Sequence, residues 1–217
     1  MLDGFLEGGL PPGNITLIYG EAETGKTALA IQCAVNTARL GCKTIFIDSD
    51  NAFSPERLSQ IASGDIEDVS ASIILIRPFS FIDQGLVIDQ LEKYLTEKFG
   101  LVVVDTITSL YRVELGNTKE TFTLNRELNR QVATLAQIAK AQGISILIIS
   151  QVRSVFTTDL VEVTPVAKRV LKFWSKFVIS LKPTMKRRVI LARVEKPVRG
   201  LKCRLLIAEG GIRDYIR

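Results

Sequence analysis

The residues best suited to chemistry form one short loop bounded by glycines. In a loop of the type G-x-x-x-x-G-K-[S/T], backbone N–H groups turn inward around phosphates. The lysine supplies a positive charge to the outer phosphates, and the hydroxyl completes a Mg²⁺ shell. A chance glycine-rich turn is the alternative, but a strand pattern precedes this loop and a helix pattern follows it. We therefore predict binding of ATP and Mg²⁺. The loop consists of Gly20, Glu21, Ala22, Glu23, Thr24, Gly25, Lys26 and Thr27.

A carboxylate follows a second apolar run, at the point where a strand would end. The run Leu101–Val104 leads directly to Asp105. A carboxylate at the carboxyl end of a strand beside a phosphate loop can hold Mg²⁺ directly or through water. An ordinary aspartate capping the next turn is the alternative. With the loop upstream, the pattern favours Thr27 and Asp105 as the metal-binding residues.

Two further strand ends carry polar groups that could act on water. The run Lys43–Asp48 is followed by Asp50, and a carboxylate there can polarise an attacking water molecule. The run Ile144–Ser150 delivers Gln151, whose neutral amide can orient water or sense a terminal phosphate. Asp50 and Gln151 are therefore the predicted catalytic residues.

A parallel sheet would bring these strand ends together. Apolar strand-like runs alternate with helical patterns, and such alternation predicts right-handed crossovers with helices on both faces. The last part of the chain has strand patterns separated only by short turns, which predicts an antiparallel C-terminal extension. We expect an α/β fold in a single domain over residues 1–217. The helical patterns cover Ala28–Leu40, Pro55–Ala62, Phe81–Phe99 and Lys119–Gln142, and the C-terminal strand patterns Lys176–Leu181, Arg188–Val194 and Lys202–Ala208.

Composition excludes several classes of function. The 217 residues contain no histidine, which excludes histidine-based catalysis and the usual histidine-containing zinc sites. The three cysteines lie in apolar or strand-like surroundings, which predicts that they are reduced core residues. No apolar run approaches the roughly 20 residues of a membrane span, and the N-terminus lacks a signal-peptide pattern. We expect a cytoplasmic protein.

Charge is unevenly distributed along the chain. From Pro165 onward there are 15 Lys or Arg and three acids, whereas the preceding residues have 13 Lys or Arg and 20 acids. A basic C-terminal quarter on an acidic remainder indicates a polyanionic partner, most simply nucleic acid. Solvated strand faces are the alternative. Lys168, Arg169 and Lys172 lie at helix-like spacing within the basic quarter.

Together these motifs resemble the RecA/RadA recombinase superfamily, and most closely its short archaeal RadB branch. The resemblance extends over nearly the whole chain and implies a RecA-like P-loop ATPase core that acts in DNA recombination and repair. Besides the phosphate loop, it rests on the opening L-D-G-F-L-E-G-G-L-P-P-G, on F-S-P-E-R-L (Phe53–Leu58), on D-T-I-T-S-L-Y-R (Asp105–Arg112), on Ser150-Gln151 and on E-G-G-I-R-D (Glu209–Asp214).

The resemblance implies roles for individual residues. It assigns Lys26 to the phosphates and places Arg57 over the adenine face, where a planar guanidinium can stack. Recombinases have a catalytic glutamate at the position of Asp50, which is one methylene shorter. Since a displacement of about 1 Å can cost around a hundredfold in rate, we expect weak ATPase activity.

The resemblance also implies DNA binding. Gln151 would lead into a second DNA-binding loop, an irregular stretch over 152–164, with a first loop near Arg112–Thr123. We expect DNA contacts from Arg153, Lys168 and Arg169.

The expected role is that of an accessory protein. The chain begins almost at the core, without the N-terminal helical DNA-binding domain of recombinases. We therefore expect it to act on single-stranded or branched DNA beside a RadA-type recombinase, with self-association left open. One alternative is a KaiC-like core-only ATPase that acts through protein contacts, and another is an interaction scaffold that binds ATP only structurally.

Overall fold

The computed structural model describes residues 8–115, 118–157, 160–197 and 200–215, with the side chains of 118–120, 153–157 and 160–165 outside that description. The strands are β1 (Ile15–Gly20), β2 (Lys43–Asp48), β3 (Ile73–Ile76), β4 (Phe99–Asp105), β5 (Ser145–Ser150), β6 (Val152–Thr157), β7 (Leu160–Pro165), β8 (Phe177–Pro183), β9 (Val189–Lys196), β10 (Lys202–Ala208) and β11 (Gly211–Asp214). The helices are α1 (Lys26–Arg39), α2 (Pro55–Ala62), α3 (Ile66–Ala71), α4 (Phe81–Tyr94), α5 (Ser109–Glu114), α6 (Thr118–Gln142) and α7 (Lys168–Trp174), with a 3₁₀ turn at Ser63–Asp65.

Nine of these strands form one sheet, in the order β11-β10-β9-β8-β1-β5-β4-β2-β3. The six strands from β8 to β3 run parallel, whereas β8 to β11 pair antiparallel. The predicted α/β fold with a mostly parallel sheet and an antiparallel C-terminal extension is therefore confirmed. Because β1, β5, β4 and β2 are parallel neighbours, their carboxyl ends meet at one edge of the sheet.

Apolar side chains alternate between two cores, one on each face of the sheet. On β1, Ile18 belongs to the core under α1, α2 and α3, and Leu17 to the core under α4, α6 and α7. Every residue of β1 and β5 is buried, as expected for central parallel strands covered on both sides. None of the helices in the described ranges has the length and apolarity needed to cross a membrane.

Local signals placed some element boundaries correctly and others not. Helix α2 begins as predicted, since Ser54 caps it by accepting a hydrogen bond from the Arg57 backbone N–H at 3.1 Å. The predicted helix over Phe81–Phe99 ends instead at Tyr94. The Lys98 carbonyl accepts a hydrogen bond from the Lys43 backbone N–H at 2.7 Å, so pairing with β2 takes over before Phe99.

The stretch 152–164 was expected to be irregular, and that expectation is wrong. β6 and β7 form an antiparallel hairpin in a separate two-stranded sheet, with pairs running from Val152–Pro165 to Thr157–Leu160. The expected first loop near Arg112–Thr123 is also largely helical, because it includes the end of α5 and the start of α6. Residues 116–117 lie outside the described part of the chain.

Candidate functional site

The phosphate loop connects the end of β1 to the start of α1. A Cβ atom on Gly20 would lie 2.4 Å from the Leu181 carbonyl oxygen of β8, so only glycine allows this approach. Gly25 has a φ of 78° and immediately precedes α1, a conformation that glycine adopts without strain. Lys26 and Thr27 therefore occupy the first turn of α1, where helix N–H groups attract anions.

Internal hydrogen bonds hold the loop in a compact shape. The Glu21 carbonyl oxygen accepts hydrogen bonds from Thr24 Oγ1 at 2.8 Å and from Lys26 Nζ at 2.6 Å. Burial lowers the pKa of the Lys26 ammonium, and the carboxylates of Asp105, Asp50 and Glu21 oppose that shift. The loop lysine is therefore close to the acids at the ends of the neighbouring strands.

Asp105 is the least satisfied polar group at this edge. Its side chain is 1% exposed, and neither carboxylate oxygen has a hydrogen-bond partner among the described residues. Burial raises its pKa to about 6, and the charges of Asp50 and Asp48 add to that rise. The Thr27 hydroxyl and the Lys26 ammonium lower the pKa of Asp105, and the hydroxyl does so without reaching full hydrogen-bond geometry. Isolated buried carboxylates are costly unless they are paired or bind a cation.

The donor set around Asp105 fits Mg²⁺. Hard oxygen ligands suit this ion, which commonly binds through one or two protein oxygens and completes its shell with water and substrate phosphates. Asp105 supplies a buried carboxylate and Thr27 a hydroxyl at the start of α1. Within the described ranges no group of three Asp, Glu or Cys side chains could hold a metal ion.

Asp48 supports the turn that carries Asp50. The buried Asp48 carboxylate accepts hydrogen bonds from the backbone N–H groups of Ala52 at 2.9 Å and Phe53 at 3.2 Å, and from Arg77 Nε at 3.1 Å. Its oxygens are occupied by the turn, so Asp48 has a positioning role. Sequence reasoning did not identify Arg77, whose only signal was its position one residue beyond β3.

The two predicted catalytic residues are in direct contact. Gln151 Nε2 donates a hydrogen bond to Asp50 Oδ2 at 3.0 Å, and Thr106 Oγ1 donates to the same oxygen at 3.3 Å. The Arg112 guanidinium, exposed on α5, donates to Gln151 Oε1. The structure thus brings together Asp50 and Gln151 as predicted, and adds Thr106 and Arg112.

Two buried glutamines support the site from behind, and sequence reasoning missed both. Gln84 on α4 accepts a hydrogen bond from Ser49 Oγ at 2.8 Å and donates to the Ile107 carbonyl at 3.3 Å, which links the ends of β2 and β4. It also donates to Gln131 Oε1 on α6 at 2.8 Å. Both glutamines lie on the apolar faces of their helices, and a neutral polar residue in an apolar stripe was the available signal.

Arg57 lies on α2, against the turn between β10 and β11. Its guanidinium donates to the carbonyls of Ala208 at 2.9 Å and Glu209 at 2.7 Å, and to Gln60 Oε1 at 2.9 Å. These bonds fix the plane of the guanidinium. Stacking on adenine stays a prediction.

The predicted DNA contacts fall in two places. Lys168 and Arg169, at the start of α7, line a groove of about 460 Å³ together with Tyr111 and Arg112 of α5. Arg112, which lines this groove, also donates a hydrogen bond to Gln151. Arg153 belongs to β6, and its side chain lies outside the described part of the structure.

The helix that carries these cations is tied to the strand preceding the phosphate loop. Glu195 on β9 accepts hydrogen bonds from Lys172 of α7 and from the Tyr19 hydroxyl of β1. The Lys172 ammonium lies 5.3 Å from the centre of the Tyr19 ring. Lys172 is therefore engaged within the fold, unlike the exposed Arg169.

Comparisons with known proteins agree with this architecture. The model of the Rad51 family matches residues 1–215. The DNA repair and recombination protein RadB of Methanosphaera stadtmanae is 33% identical over 216 residues, covering 97% of this chain and 92% of the relative. The RadB protein of Thermococcus gammatolerans is 37% identical over 219 residues, covering 98% and 95%. A crystal structure described as the RadB recombinase superposes with a TM-score of 0.84 at 34% identity, covering 99% and 96%.

Proposed function

Because the chain belongs to the Rad51 family and, within it, to the RadB branch, we propose that it is an ATP-binding, DNA-binding accessory protein of homologous recombination and DNA repair, with weak ATPase activity. The ATP site is the loop between β1 and α1, completed by Asp105. DNA binds beside it, at the groove lined by α5 and α7.

The buried, unpaired carboxylate of Asp105 is the observation that carries the nucleotide site. It is positioned beside Lys26 and Thr27, where a nucleotide-bound Mg²⁺ would relieve the cost of its burial. When bound, Mg²⁺ neutralises charge on the phosphates and orients them. Thr27 and Asp105 would hold it, and Lys26 would turn from the Glu21 carbonyl towards the outer phosphates.

Asp50 acts as the base that polarises the attacking water. Its carboxylate is held by Gln151 and Thr106, and Asp48 holds the turn on which it is carried. The side chain of aspartate is one methylene shorter than that of glutamate. Since small misplacements of a general base are costly, hydrolysis is slow.

DNA binding is electrostatic and depends little on sequence. Lys168 and Arg169 border a groove together with Arg112, and the chain from Pro165 onward has 15 basic and three acidic residues. Such a surface attracts phosphates with little discrimination between bases. We assign Arg153, on β6, to the same DNA interface.

Slow hydrolysis favours an accessory role over that of an independent strand-exchange enzyme. A protein that loads or steadies another recombinase needs ATP binding and DNA binding, but not rapid turnover. The partners are accordingly single-stranded or branched DNA and a RadA-type recombinase, with self-association as a further possibility. The names of the relatives, DNA repair and recombination proteins, support a role in recombination and repair.

A joint-molecule assay tests the proposal. The protein is incubated with ATP, Mg²⁺, a single strand and a homologous duplex, with and without a RadA-type recombinase. We expect few joint molecules from the protein alone and a changed yield when the recombinase is present. Efficient joint-molecule formation by the protein alone would overturn the accessory role, and ATP turnover unaffected by DNA would favour a scaffold.

A further inference from the structure

Two phenylalanine side chains are exposed on helices that border the groove between α5 and α7. Phe122 of α6 is 76% exposed, and Phe173 of α7 is 73% exposed. The exposed Val113 lies on α5, next to Arg112 of the groove. Scattered apolar side chains are ordinary on a protein surface, whereas apolar side chains gathered around one groove mark a place where a ligand binds.

Phe173 lies on the same side of α7 as Arg169, which lines the groove. The two residues are four positions apart, so their side chains are neighbours on the helix surface. The Phe173 ring meets the Trp174 ring edge-on, with 5.1 Å between the ring centres. The fold therefore supports the Phe173 ring at one edge and leaves most of it open to solvent.

Phe122 lies on the side of α6 that faces α7. It precedes Asn129 by seven residues, or two helical turns, so both residues are on one side of the helix and about 10 Å apart along its axis. Asn129 Oδ1 accepts a hydrogen bond from Trp174 Nε1 at 3.0 Å, and Asn125, between the two turns, lines the groove. Phe122 thus lies one turn before the groove residue of α6, just as Phe173 lies one turn after Arg169 of α7.

The groove between these two rings has cations and apolar walls. Arg112, Lys168 and Arg169 supply the charge, and Leu115 and Val170 form part of the walls. Cations bind phosphates, whereas exposed aromatic rings bind the flat faces of bases, and sites for unpaired strands combine the two. The base faces of a duplex are stacked on one another and cannot reach such rings. The surface therefore fits a strand whose bases are accessible.

We propose that Phe122 and Phe173 stack on unpaired bases of DNA whose backbone follows the groove, and that these two rings select unpaired over duplex DNA. This inference rests on the proposed function and adds the residues that distinguish the two forms of DNA. Stacking tolerates any base, because every base has a π-face, so it agrees with binding that depends little on sequence. Duplex DNA would keep its phosphate contacts with the groove and lack the stacking contacts.

Binding isotherms with two single strands of equal length and charge test the inference. One strand is an oligothymidylate, and the other is its abasic analogue, which has the same phosphates without bases. We expect the parent to prefer the oligothymidylate, and Phe122→Ala and Phe173→Ala each to lower its affinity for that strand by about tenfold, the scale of one base stacked on an aromatic ring. Neither variant should change the affinity for the abasic strand or for a duplex, or the salt dependence, because no charge is removed.

Tyr94→Ala is the matched control. Tyr94 is also an exposed aromatic residue, but it lies at the end of α4, which leads to the start of β4, whereas α5 follows the end of β4. This variant should bind both strands as the parent does. Phe122→Trp, which keeps an aromatic ring, should retain the affinity for oligothymidylate that Phe122→Ala loses.

The possible results separate the inference from the proposed function. Parent-like affinity for oligothymidylate in both alanine variants, or an equal loss of affinity for the abasic strand, overturns the inference. It is also overturned if the alanine variants bind DNA normally but self-associate less than the parent in sedimentation without DNA, because the rings would then form a protein contact. A parent that binds neither strand nor the duplex contradicts the proposed function instead.

The fluorescence of Trp174 gives a second measurement, since Trp174 is the only tryptophan in the chain and its ring contacts Phe173. A base stacked on Phe173 lies close to this ring and should quench its fluorescence. At saturation, oligothymidylate should quench the parent and Tyr94→Ala, but it should quench Phe173→Ala much less. Equal quenching of the parent by the oligothymidylate and the abasic strand would contradict base stacking at Phe173.

Discussion

At the residue scale, the burial of Asp105 predicts how the stability of the folded protein depends on pH. Its pKa in the folded protein is about 6, against an ordinary value of 3.8, so the folded state holds the proton more tightly than the unfolded chain does. The free energy of unfolding should therefore fall as the pH rises from about 4 to about 6, by on the order of 3 kcal/mol, and the loss should be complete above that range.

Asp105→Asn should remove this dependence. Without nucleotide and Mg²⁺, the variant should unfold at a higher temperature than the parent at pH 8, and the difference should shrink towards pH 4. Asp68→Asn, which changes an exposed carboxylate on α3, should follow the parent at every pH. If Asp105→Asn is no more stable than the parent at pH 8, burial of the Asp105 carboxylate does not destabilise the folded protein.

Asp50 gives a second prediction at the same scale. If the reach of the carboxylate limits hydrolysis, Asp50→Glu should raise the turnover of bound ATP, by as much as about a hundredfold. Turnover at saturating ATP is the measurement, with ATP affinity as the control. Unchanged or slower turnover at intact affinity would exclude Asp50 as the base.

Site residues could be predicted from the sequence where neighbouring residues in the chain carry the signal. The phosphate loop and Asp105 follow apolar strand runs, so position along the chain sufficed to predict them. The support from Arg77 to Asp48 and the contact of Arg112 with Gln151 depend on tertiary packing, and no spacing in the sequence reports such contacts. Arg57 was assigned from resemblance, and its bonds to the β10–β11 turn could not be read from the chain.

At the scale of elements, α4 and α6 are joined to the site by their buried glutamines. Gln84→Leu should leave Ser49 Oγ, the Ile107 carbonyl and Gln131 Oε1 without this partner. Because each buried unsatisfied group costs about 1–3 kcal/mol, we expect a loss of several kcal/mol in the free energy of unfolding, measured in urea. The Gln84→Leu, Gln131→Leu double variant should lose less than the sum of the single variants. Strict additivity would show that the two glutamines do not act together.

Elements with long, strongly patterned sequences were foreseen, and short ones were not. The parallel strands and α2 were predicted because apolar runs and a Ser-Pro-Glu start are strong local signals. Helices α3 and α5 have only six residues each, too few for a periodic pattern. The β6–β7 hairpin was missed because the resemblance to a binding loop suggested an irregular stretch.

At the scale of the whole molecule, the uneven charge predicts salt-dependent DNA binding. Neutralising Arg153, Lys168 and Arg169 should weaken binding similarly for all sequences and reduce the slope of log affinity against log salt by about 2 on single strands. Binding isotherms at several salt concentrations measure this slope. The matched control removes three exposed cations at and beside the β8–β9 turn: Lys182 near the end of β8, and Arg187 and Arg188 in the turn. Equal effects of both triple variants would show that net charge, rather than the groove, carries the binding.

The central claim is that the loop between β1 and α1 binds ATP with Mg²⁺, and a calorimetric titration of ATP tests it most directly. The parent should bind one ATP per chain, and removal of Mg²⁺ should weaken binding. Lys26→Ala should bind at least about tenfold more weakly with Mg²⁺ present, since it loses a charge-assisted contact to the phosphates. Lys43→Ala, which changes a lysine at the opposite end of the sheet, should bind as the parent does. A Lys26→Ala variant that binds ATP as tightly as the parent, with Mg²⁺ present, would contradict the account.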